Sequence, residues 1–205
     1  MIKNLREQNR LMIMWTRANK NESGYLNTNN EFQNNNWAHN AFDEPHTTGN
    51  YPNANVFFVS ASGNTYNSSY SVENHHQYIA YIWHDVPGYC KVGSIGSNGS
   101  SDGSFVDLGF KPALIILRPD ATADYLMYSS LRSPMNPAIH RLKCNNANTE
   151  QNITDGSQDF DILSNGFKYR DSVGAFNESG KTVMYIAWAE DSSFSSSYGA
   201  IPTAR

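Results

Sequence analysis

The sequence predicts an all-β fold, namely an antiparallel β-sandwich built from two tandem, sequence-related units. Three observations predict it. Asn, Ser and Gly fill most polar positions and charged residues make up only 17% of the chain, which is typical of turn-rich β proteins. The apolar runs are short and end at turn residues. One such run, QYIAYIWHD at Gln77–Asp85, returns as TVMYIAWAED at Thr182–Asp191, which indicates an internal repeat.

The two recurring runs predict the central strands of the fold, at Tyr78–Trp83 and Thr182–Trp188. Apolar residues do not alternate with polar ones in either run, so we expect both faces of each strand to be covered. A helix is disfavoured because the runs are short, rich in β-branched and aromatic residues, and followed by Pro, Ser or Gly.

The first unit, residues 1–92, contains one long irregular segment. Residues 27–55 lack periodicity and carry many Asn residues, which predicts a functional loop or a surface excursion. The predicted strands of this unit are Ile2–Leu5, Leu11–Trp15, Tyr25–Leu26, Val56–Val59, Tyr78–Trp83 and Tyr89–Val92.

The second unit, residues 105–205, follows the Gly/Ser-rich stretch 93–104, which is a linker or, equally, a loop bracketed by strands. Ser164-Asn165-Gly166 is a strong hairpin signal between two of its apolar runs. A second hairpin is expected between Ala113–Leu117 and Tyr125–Tyr128, across the polar stretch PDATAD. The predicted strands are Phe105–Leu108, Ala113–Leu117, Tyr125–Tyr128, Phe160–Leu163, Phe167–Arg170 and Thr182–Trp188.

The two units share an order of strands. Ile2-Lys3 corresponds to Leu117-Arg118, Leu11–Trp15 to Tyr125–Tyr128, and Tyr25–Asn27 to Arg141–Lys143. The alternative is that any two halves of a β-meander look alike. The second unit also has a lead-in strand, Phe105–Pro112, without a counterpart in the first. We therefore expect either a trimmed first unit or a longer parent chain.

Composition excludes several classes of function. The net charge is −4 and no basic run is present, so nucleic acid is not an expected partner. No apolar run reaches the roughly 18 residues that a membrane span needs, and Met1–Trp15 lacks the features of a signal peptide. The two cysteines, Cys90 and Cys144, form no disulfide framework or metal motif, which predicts plain buried or half-buried thiols.

Several motifs follow one another through residues 77–205. A Gly-Tyr-x-Lys opening leads through a Gly/Asn-rich loop and an Asp-Gly pair to Gly-Phe-x-Pro-Ala, followed by Asn-Pro, Arg-Leu and Asp-x-Leu-Ser-Asn-Gly-Phe-Lys. The matching positions are Gly88, Tyr89, Lys91, Gly99, Asp102, Gly103, Gly109, Phe110, Pro112, Ala113, Asn136-Pro137, Arg141-Leu142, Asp161–Lys168 and Met184–Glu190. This series resembles a domain that recurs in structural proteins of tailed phages, especially phages of marine bacteria. Cys90 departs from it, because that family often has Ser there.

The resemblance implies a β-sandwich module of a virion protein, such as a tail fibre, an appendage or a capsid decoration. It implies location in the virion after assembly in the host cytoplasm, and contacts with other virion proteins and with further copies of the chain. The family brings no established catalytic residue and no cofactor, so the resemblance implies a non-enzymatic protein.

Few residues suggest chemistry of their own. Asp85, with Glu190 or Asp191, lies just past the end of a central strand and could supply the carboxylate pair of a glycoside hydrolase. Solvated acids at strand ends are the favoured interpretation. His75, His76 and His84 do not predict a metal site, because adjacent strand residues point to opposite faces.

Two loop features are candidate binding sites. The loop 97–107 offers oxygen donors for calcium but lacks clustered acids, so a plain turn is favoured. Aromatic residues in polar loops predict contacts with sugars or with other subunits, against the alternative of packing beneath the long loop. These tentative contact aromatics are Trp37, Phe42, Tyr51, Tyr66 and Tyr70.

The leading hypothesis is therefore a phage virion structural protein that mediates assembly on the particle surface or tail. The alternative is a glycan-binding receptor-recognition module of a tail fibre or appendage. A polysaccharide hydrolase is a third hypothesis, resting on Asp85.

Overall fold

A computed structural model of the chain describes residues 2–4, 13–14, 24–25, 29, 78–154, 160–172 and 174–190. Within these residues the regular structure is all β, and the paired strands are antiparallel. The strands in chain order are β1 (Ile2–Asn4), β2 (Ile13–Met14), β3 (Gly24–Tyr25), β4 (Tyr78–Ala80), β5 (Cys90–Gly96), β6 (Phe105–Asp107), β7 (Pro112–Pro119), β8 (Leu126–Ser129), β9 (His140–Lys143), β10 (Gln151–Asn152), β11 (Phe160–Leu163), β12 (Gly166–Tyr169) and β13 (Thr182–Ala189). The all-β, antiparallel prediction is confirmed for this part of the chain.

The chain divides into two compact units, Met1–Ile82 and Trp83–Arg205. In the first unit the described strands form a sheet of order β3-β2-β1-β4. Strand β1 pairs with β4 in the register Ile2↔Ala80, and with β2 in the register Ile2↔Ile13. The predicted strand Val56–Val59 lies outside the described residues.

The second unit contains a six-stranded sheet of order β10-β9-β8-β7-β13-β5 and a three-stranded sheet of order β11-β12-β6. One cluster of buried side chains joins the two sheets. The rings of Tyr128 and Phe160 stack at 4.5 Å between centroids, and those of Phe167 and Tyr185 meet edge to face at 5.5 Å. The two sheets therefore share a core rich in aromatic residues.

Strand β13 is the central strand that the sequence predicts. It pairs with β7 on one side and with β5 on the other, and its residues Val183–Ala187 are buried on both faces. Its non-alternating apolar sequence is explained by this position.

For the first unit, the predicted central strand Tyr78–Trp83, expected to be covered on both faces, is wrong at its C-terminal end. Strand β4 stops at Ala80, and Tyr81, Ile82 and Trp83 beyond it are 43%, 69% and 37% exposed. Apolar and aromatic sequence alone cannot distinguish a covered strand from an exposed extension that carries the same residues.

The unit boundary also differs from the predicted one. The boundary after residue 92 falls inside β5, and all of β5 pairs with β13 in the second unit. Residues 93–96 thus belong to a strand, and the remainder of the Gly/Ser-rich stretch is a loop between β5 and β6. Gly93 fits the strand because the Tyr185 ring lies over it, with the Tyr185 hydroxyl 2.5 Å from where a Cβ would stand.

Both predicted hairpins of the second unit are confirmed. Strands β7 and β8 pair from Leu114↔Ser129 to Leu117↔Leu126. Strands β11 and β12 pair across the Ser164-Asn165 turn, with Leu163 opposite Gly166. A Cβ at Gly166 would lie 1.9 Å from the carbonyl oxygen of Val106 in β6, so the close approach of these strands requires glycine.

Candidate functional site

The two described carboxylates of the proposed hydrolase pair hold strand ends together. Asp85 Oδ1 accepts a hydrogen bond of 2.8 Å from the backbone N–H of Val92, on the outer edge of β5. Glu190 Oε2 lies 2.6 Å from Lys111 Nζ, and the backbone N–H of Glu190 donates to Lys111 O. These contacts match the strand-end interpretation. Asp191 lies outside the described residues.

Of the three histidines considered as metal ligands, the structure describes only His84, because His75 and His76 lie outside the described part. His84 is exposed, and its Nδ1 donates to the carbonyl oxygen of Asp85 at 2.9 Å. Among the described residues, no group of three or more His, Cys, Asp and Glu side chains is placed to hold a metal ion.

The loop after β5 is organised by its own hydrogen bonds. Asn98 Oδ1 accepts from the Ser100 N–H at 3.0 Å, and Asn98 Nδ2 donates to Asp102 O at 3.0 Å. Lys168 Nζ lies 2.5 Å from Asp102 Oδ1 and holds the pKa of that exposed carboxyl below its usual range. Several of the oxygens considered for calcium, those of Asn98 and Asp102 among them, are therefore engaged by the protein.

Asn177 fastens this loop to the segment that follows β12. Only 1% of it is exposed, and its Oδ1 accepts from the Asn98 N–H at 3.2 Å. Its Nδ2 donates to Ser100 O at 2.8 Å and to Asp171 O at 2.5 Å. Sequence reasoning missed this residue, because one Asn among many carries no distinguishing pattern.

The two cysteines are free thiols in different settings. Cys90 is buried, its Sγ–H donates to His84 O at 3.1 Å, and burial raises its pKa. Cys144 is exposed, whereas the sequence predicts a buried or half-buried thiol. It lies just beyond the end of β9, where the chain leaves the sheet.

A buried polar cluster lies at the turn between β7 and β8. Arg118 is fully buried, its guanidinium stands 4.7 Å above the Tyr125 ring, and its Nη1 donates to Ala123 O. Burial raises the pKa of Tyr125 to about 12, against the opposing effect of Arg118. Nearby, Asp124 Oδ2 lies 2.6 Å from Lys143 Nζ. One feature of the sequence could have indicated this cluster, namely Arg118 within an apolar strand. An arginine is rarely buried unless it has partners.

The tentative contact aromatics Trp37, Phe42, Tyr51, Tyr66 and Tyr70 all lie outside the described residues. Within the described residues, the most exposed large apolar side chains are Leu131 and Met135, at 82% and 79%. Both lie in the connection between β8 and β9, hereafter the 130–138 loop.

The 130–138 loop is tied to the body of the second unit. Asn136 donates through Nδ2 to Ile162 O at 2.9 Å and accepts through Oδ1 from the Ile162 N–H at 2.8 Å. The Ala138 N–H donates to Phe160 O at 2.6 Å. Ser133 Oγ accepts from the His140 N–H at 3.0 Å. These bonds place the loop beside the edge strand β11, with two apolar side chains held in solvent.

In the described part of the chain no helix has the length and apolar character needed to cross a membrane.

Comparison with known proteins adds a family but no described activity. Searches of curated proteins and of solved structures found no match. One family profile matches residues 1–192, which is most of the 205-residue chain. The chain therefore belongs to the DUF7483 family, a domain of unknown function.

Proposed function

We propose that this protein is a non-enzymatic structural protein of a phage virion, whose β modules make contacts with copies of themselves and with other virion proteins. The observation that supports contact with other chains is the 130–138 loop, and the virion part of the proposal rests on the resemblance in residues 77–205. Leu131 and Met135 are 82% and 79% exposed on a loop that Asn136 and Ala138 bind to β11. Exposed apolar side chains that form one patch mark surfaces that bind another protein, and we expect Leu131 and Met135 to form part of such a patch.

The contacts made by the candidate acids favour a structural role over a catalytic one. Asp85 and Glu190 are occupied by Val92 and Lys111, respectively. A general acid or base needs a cleft that shapes its environment and admits a substrate. A cavity lined by Leu117, Phe160 and Tyr169 among the described residues has a volume of about 10 Å³, which is too small for a sugar ring.

The strand orders support the finer proposal of two tandem, sequence-related sandwich units. The order β3-β2-β1-β4 of the first unit parallels β9-β8-β7-β13 of the second, with antiparallel pairing throughout. If Ile2 is matched with Leu117, the pairing registers match Ala80 with Tyr185. The same offset along the chain brings Trp83 onto Trp188. A shared register is harder to reach by chance than a shared strand order.

Particle analysis tests the proposed role. We expect the protein among the components of purified phage particles, at a fixed ratio to the major capsid protein. We also expect antibodies against it to label one part of intact particles in electron micrographs. Its absence from particles made by cells that express it would contradict the proposal.

The glycan-binding alternative has one observation in its favour. Trp83 and Tyr89 are 37% and 40% exposed, and aromatic rings of this kind can stack on sugars. A glycan array separates the two roles. Specific binding that is lost in Trp83→Ala and Tyr89→Ala would favour receptor recognition, whereas the structural role predicts no specific binding.

A further inference from the structure

A buried hydroxyl in the core of the second unit belongs to a residue that lines a small cavity. Tyr169 is 3% exposed, and among the described residues its hydroxyl oxygen has no hydrogen-bond partner. A buried hydroxyl without a partner is costly, and such groups in native proteins are usually satisfied by ordered water. The Tyr169 ring itself is fixed by edge contacts with Phe160 and Phe167, at 5.7 and 6.0 Å between centroids.

The cavity has the volume of a single water molecule. It measures about 10 Å³, close to the smallest space that holds one water. Tyr169, Asp171 and Asn177 line it together with apolar side chains that include Phe160 and Phe176. Cavities that stay dry are lined by apolar groups alone, whereas the residues that line this one include Tyr128, Tyr169, Asp171 and Asn177, which all carry polar groups.

The polar lining offers both donors and acceptors. Both Nδ2 hydrogens of Asn177 are used by Ser100 O and Asp171 O, whereas its Oδ1 accepts one hydrogen bond, from the Asn98 N–H. A carbonyl oxygen has two lone pairs, and a carboxylate has about four acceptor positions. Asn177 can therefore accept a further hydrogen bond, and Tyr169 can donate one. Asp171, at 8% exposed, already has a partner in the protein, but its carboxylate offers more than one acceptor position.

We propose that this cavity binds one internal water molecule, which accepts a hydrogen bond from Tyr169 Oη and donates to Asn177 Oδ1 and the Asp171 carboxylate. Three hydrogen bonds are the usual number for a buried water. The water joins β12 to the segment 171–177, and through Asn177 to the loop after β5. It is thus part of what holds three separate stretches of the chain against the core.

A crystal structure at about 1.5 Å resolution tests the proposal, because ordered internal waters are visible at that resolution. We expect density for one water within hydrogen-bond distance of Tyr169 Oη. In Tyr169→Phe, which keeps the ring contacts, we expect that density to disappear and the folding equilibrium constant to fall about 3- to 10-fold.

Tyr185→Phe is the matched control, because the Tyr185 hydroxyl lies over Gly93 and the cavity lining does not include it. That variant should retain the cavity water. If the site is dry, Tyr169→Phe removes an unpaired hydroxyl and should raise the folding equilibrium constant instead. Either an empty cavity in the native protein or a gain in stability in Tyr169→Phe overturns the proposal.

Discussion

At the scale of single residues, the Asp and Asn side chains of the second unit act mainly as hydrogen-bond partners of the backbone. Asp85 covers an outward N–H of β5, Asn98 orders a turn, and Asn177 joins two loops. Asn and Asp are well suited to this work because their short side chains reach nearby backbone groups. The abundance of Asn in the chain is explained at least in this region by such bonds.

The first prediction concerns Asn177. Replacement by Ala removes an acceptor and two donors from a buried position, leaving Ser100 O and Asp171 O without that partner. We expect Asn177→Ala to lower the free energy of unfolding by about 2 to 4 kcal/mol in urea denaturation. Asn148→Ala, at an exposed position, serves as the control and should change it by less than about 0.5 kcal/mol. Equal effects of the two variants would contradict this role for Asn177.

The second prediction concerns alkaline pH and Tyr125. Its pKa is raised to about 12 by burial, whereas in the unfolded chain it is about 10. Between these values the folded protein retains a proton that the unfolded chain has lost. The contribution of Tyr125 to the free energy of unfolding is therefore fully present below pH 10. It decreases by about 1.4 kcal/mol per pH unit between pH 10 and pH 12.

Burial raises the pKa of Tyr169 as well, so it adds a loss in the same direction. Denaturation curves at several alkaline pH values measure the slope, and Tyr125→Phe isolates one contribution, because it keeps the ring beside Arg118 but not the ionisable hydroxyl. We expect the stability of this variant to fall less steeply with pH than that of the native protein. An unchanged slope would show that Tyr125 ionises equally in both states.

The third prediction concerns Asp85 and separates catalysis from structure. Asp85→Asn keeps an oxygen that can accept from the Val92 N–H, so we expect stability within about 0.5 kcal/mol of the native value. We also expect no change in any activity on polysaccharides. Hydrolysis by the native protein that disappears in Asp85→Asn would favour the hydrolase hypothesis, and Glu190→Gln would then identify the second acid.

At the scale of elements, the outer edges of two strands, β5 and β11, are covered by side chains and loops. On β5, the backbone N–H groups of Cys90 and Val92 donate to Val86 O and Asp85 Oδ1, and Ser104 Oγ donates to Gly96 O. On β11, Asn136 supplies the donor and the acceptor that a neighbouring strand would supply. Covered edges prevent unplanned strand pairing, so contacts between copies are expected through side chains rather than through added strands.

The fourth prediction tests the covering of β11. In Asn136→Ala the N–H and C=O of Ile162 lose their partners, so the Ile162 amide should exchange with solvent at least about tenfold faster. Hydrogen exchange followed by NMR measures this rate directly. The amide of Phe167, paired with Val106 on the inner strand β12, provides an internal reference that should be unaffected. Unchanged exchange at Ile162 would mean that Asn136 does not protect the edge.

The fifth prediction concerns the approach of β6 to β12. A Cβ at Gly166 would meet Val106 O at 1.9 Å, a backbone atom that cannot move without displacing β6. We expect Gly166→Ala to destabilise the protein by about 2 kcal/mol or more in thermal or urea denaturation. Gly96→Ala is the matched control, because a Cβ there has nothing within 4 Å. Similar stabilities for the two variants would contradict the close packing of these strands.

At the scale of the whole molecule, the positions of the strands could be predicted from the sequence better than their pairing partners and their exposure to solvent. The β7–β8 and β11–β12 hairpins follow from local turn chemistry, and β13 follows from its non-alternating apolar run. The exposure of Tyr81–Trp83 and the continuation of β5 through Gly96 did not follow, because both depend on which neighbours the chain meets. Strand pairing between distant segments is set by tertiary packing, which short windows of sequence do not contain.

Candidate sites were harder to predict than strands for the same reason. Arg118, Asn177 and Tyr169 acquire their roles from burial, and nothing in the neighbouring residues distinguishes a buried Asn or Tyr from a solvated one. The loop apolar residues Leu131 and Met135 are visible in the sequence, but their exposure depends on the anchoring of Asn136 to β11. Contact surfaces therefore emerge only once the fold has placed the loops.

Native mass spectrometry over a range of concentrations tests most directly the proposal that this protein acts by contact with further protein chains. We expect assemblies whose masses are multiples of 23.0 kDa, and we expect the double variant Leu131→Ser, Met135→Ser to reduce them without unfolding the chain. A chain that stays monomeric at every concentration, alone and when mixed with phage structural proteins, would contradict the proposal.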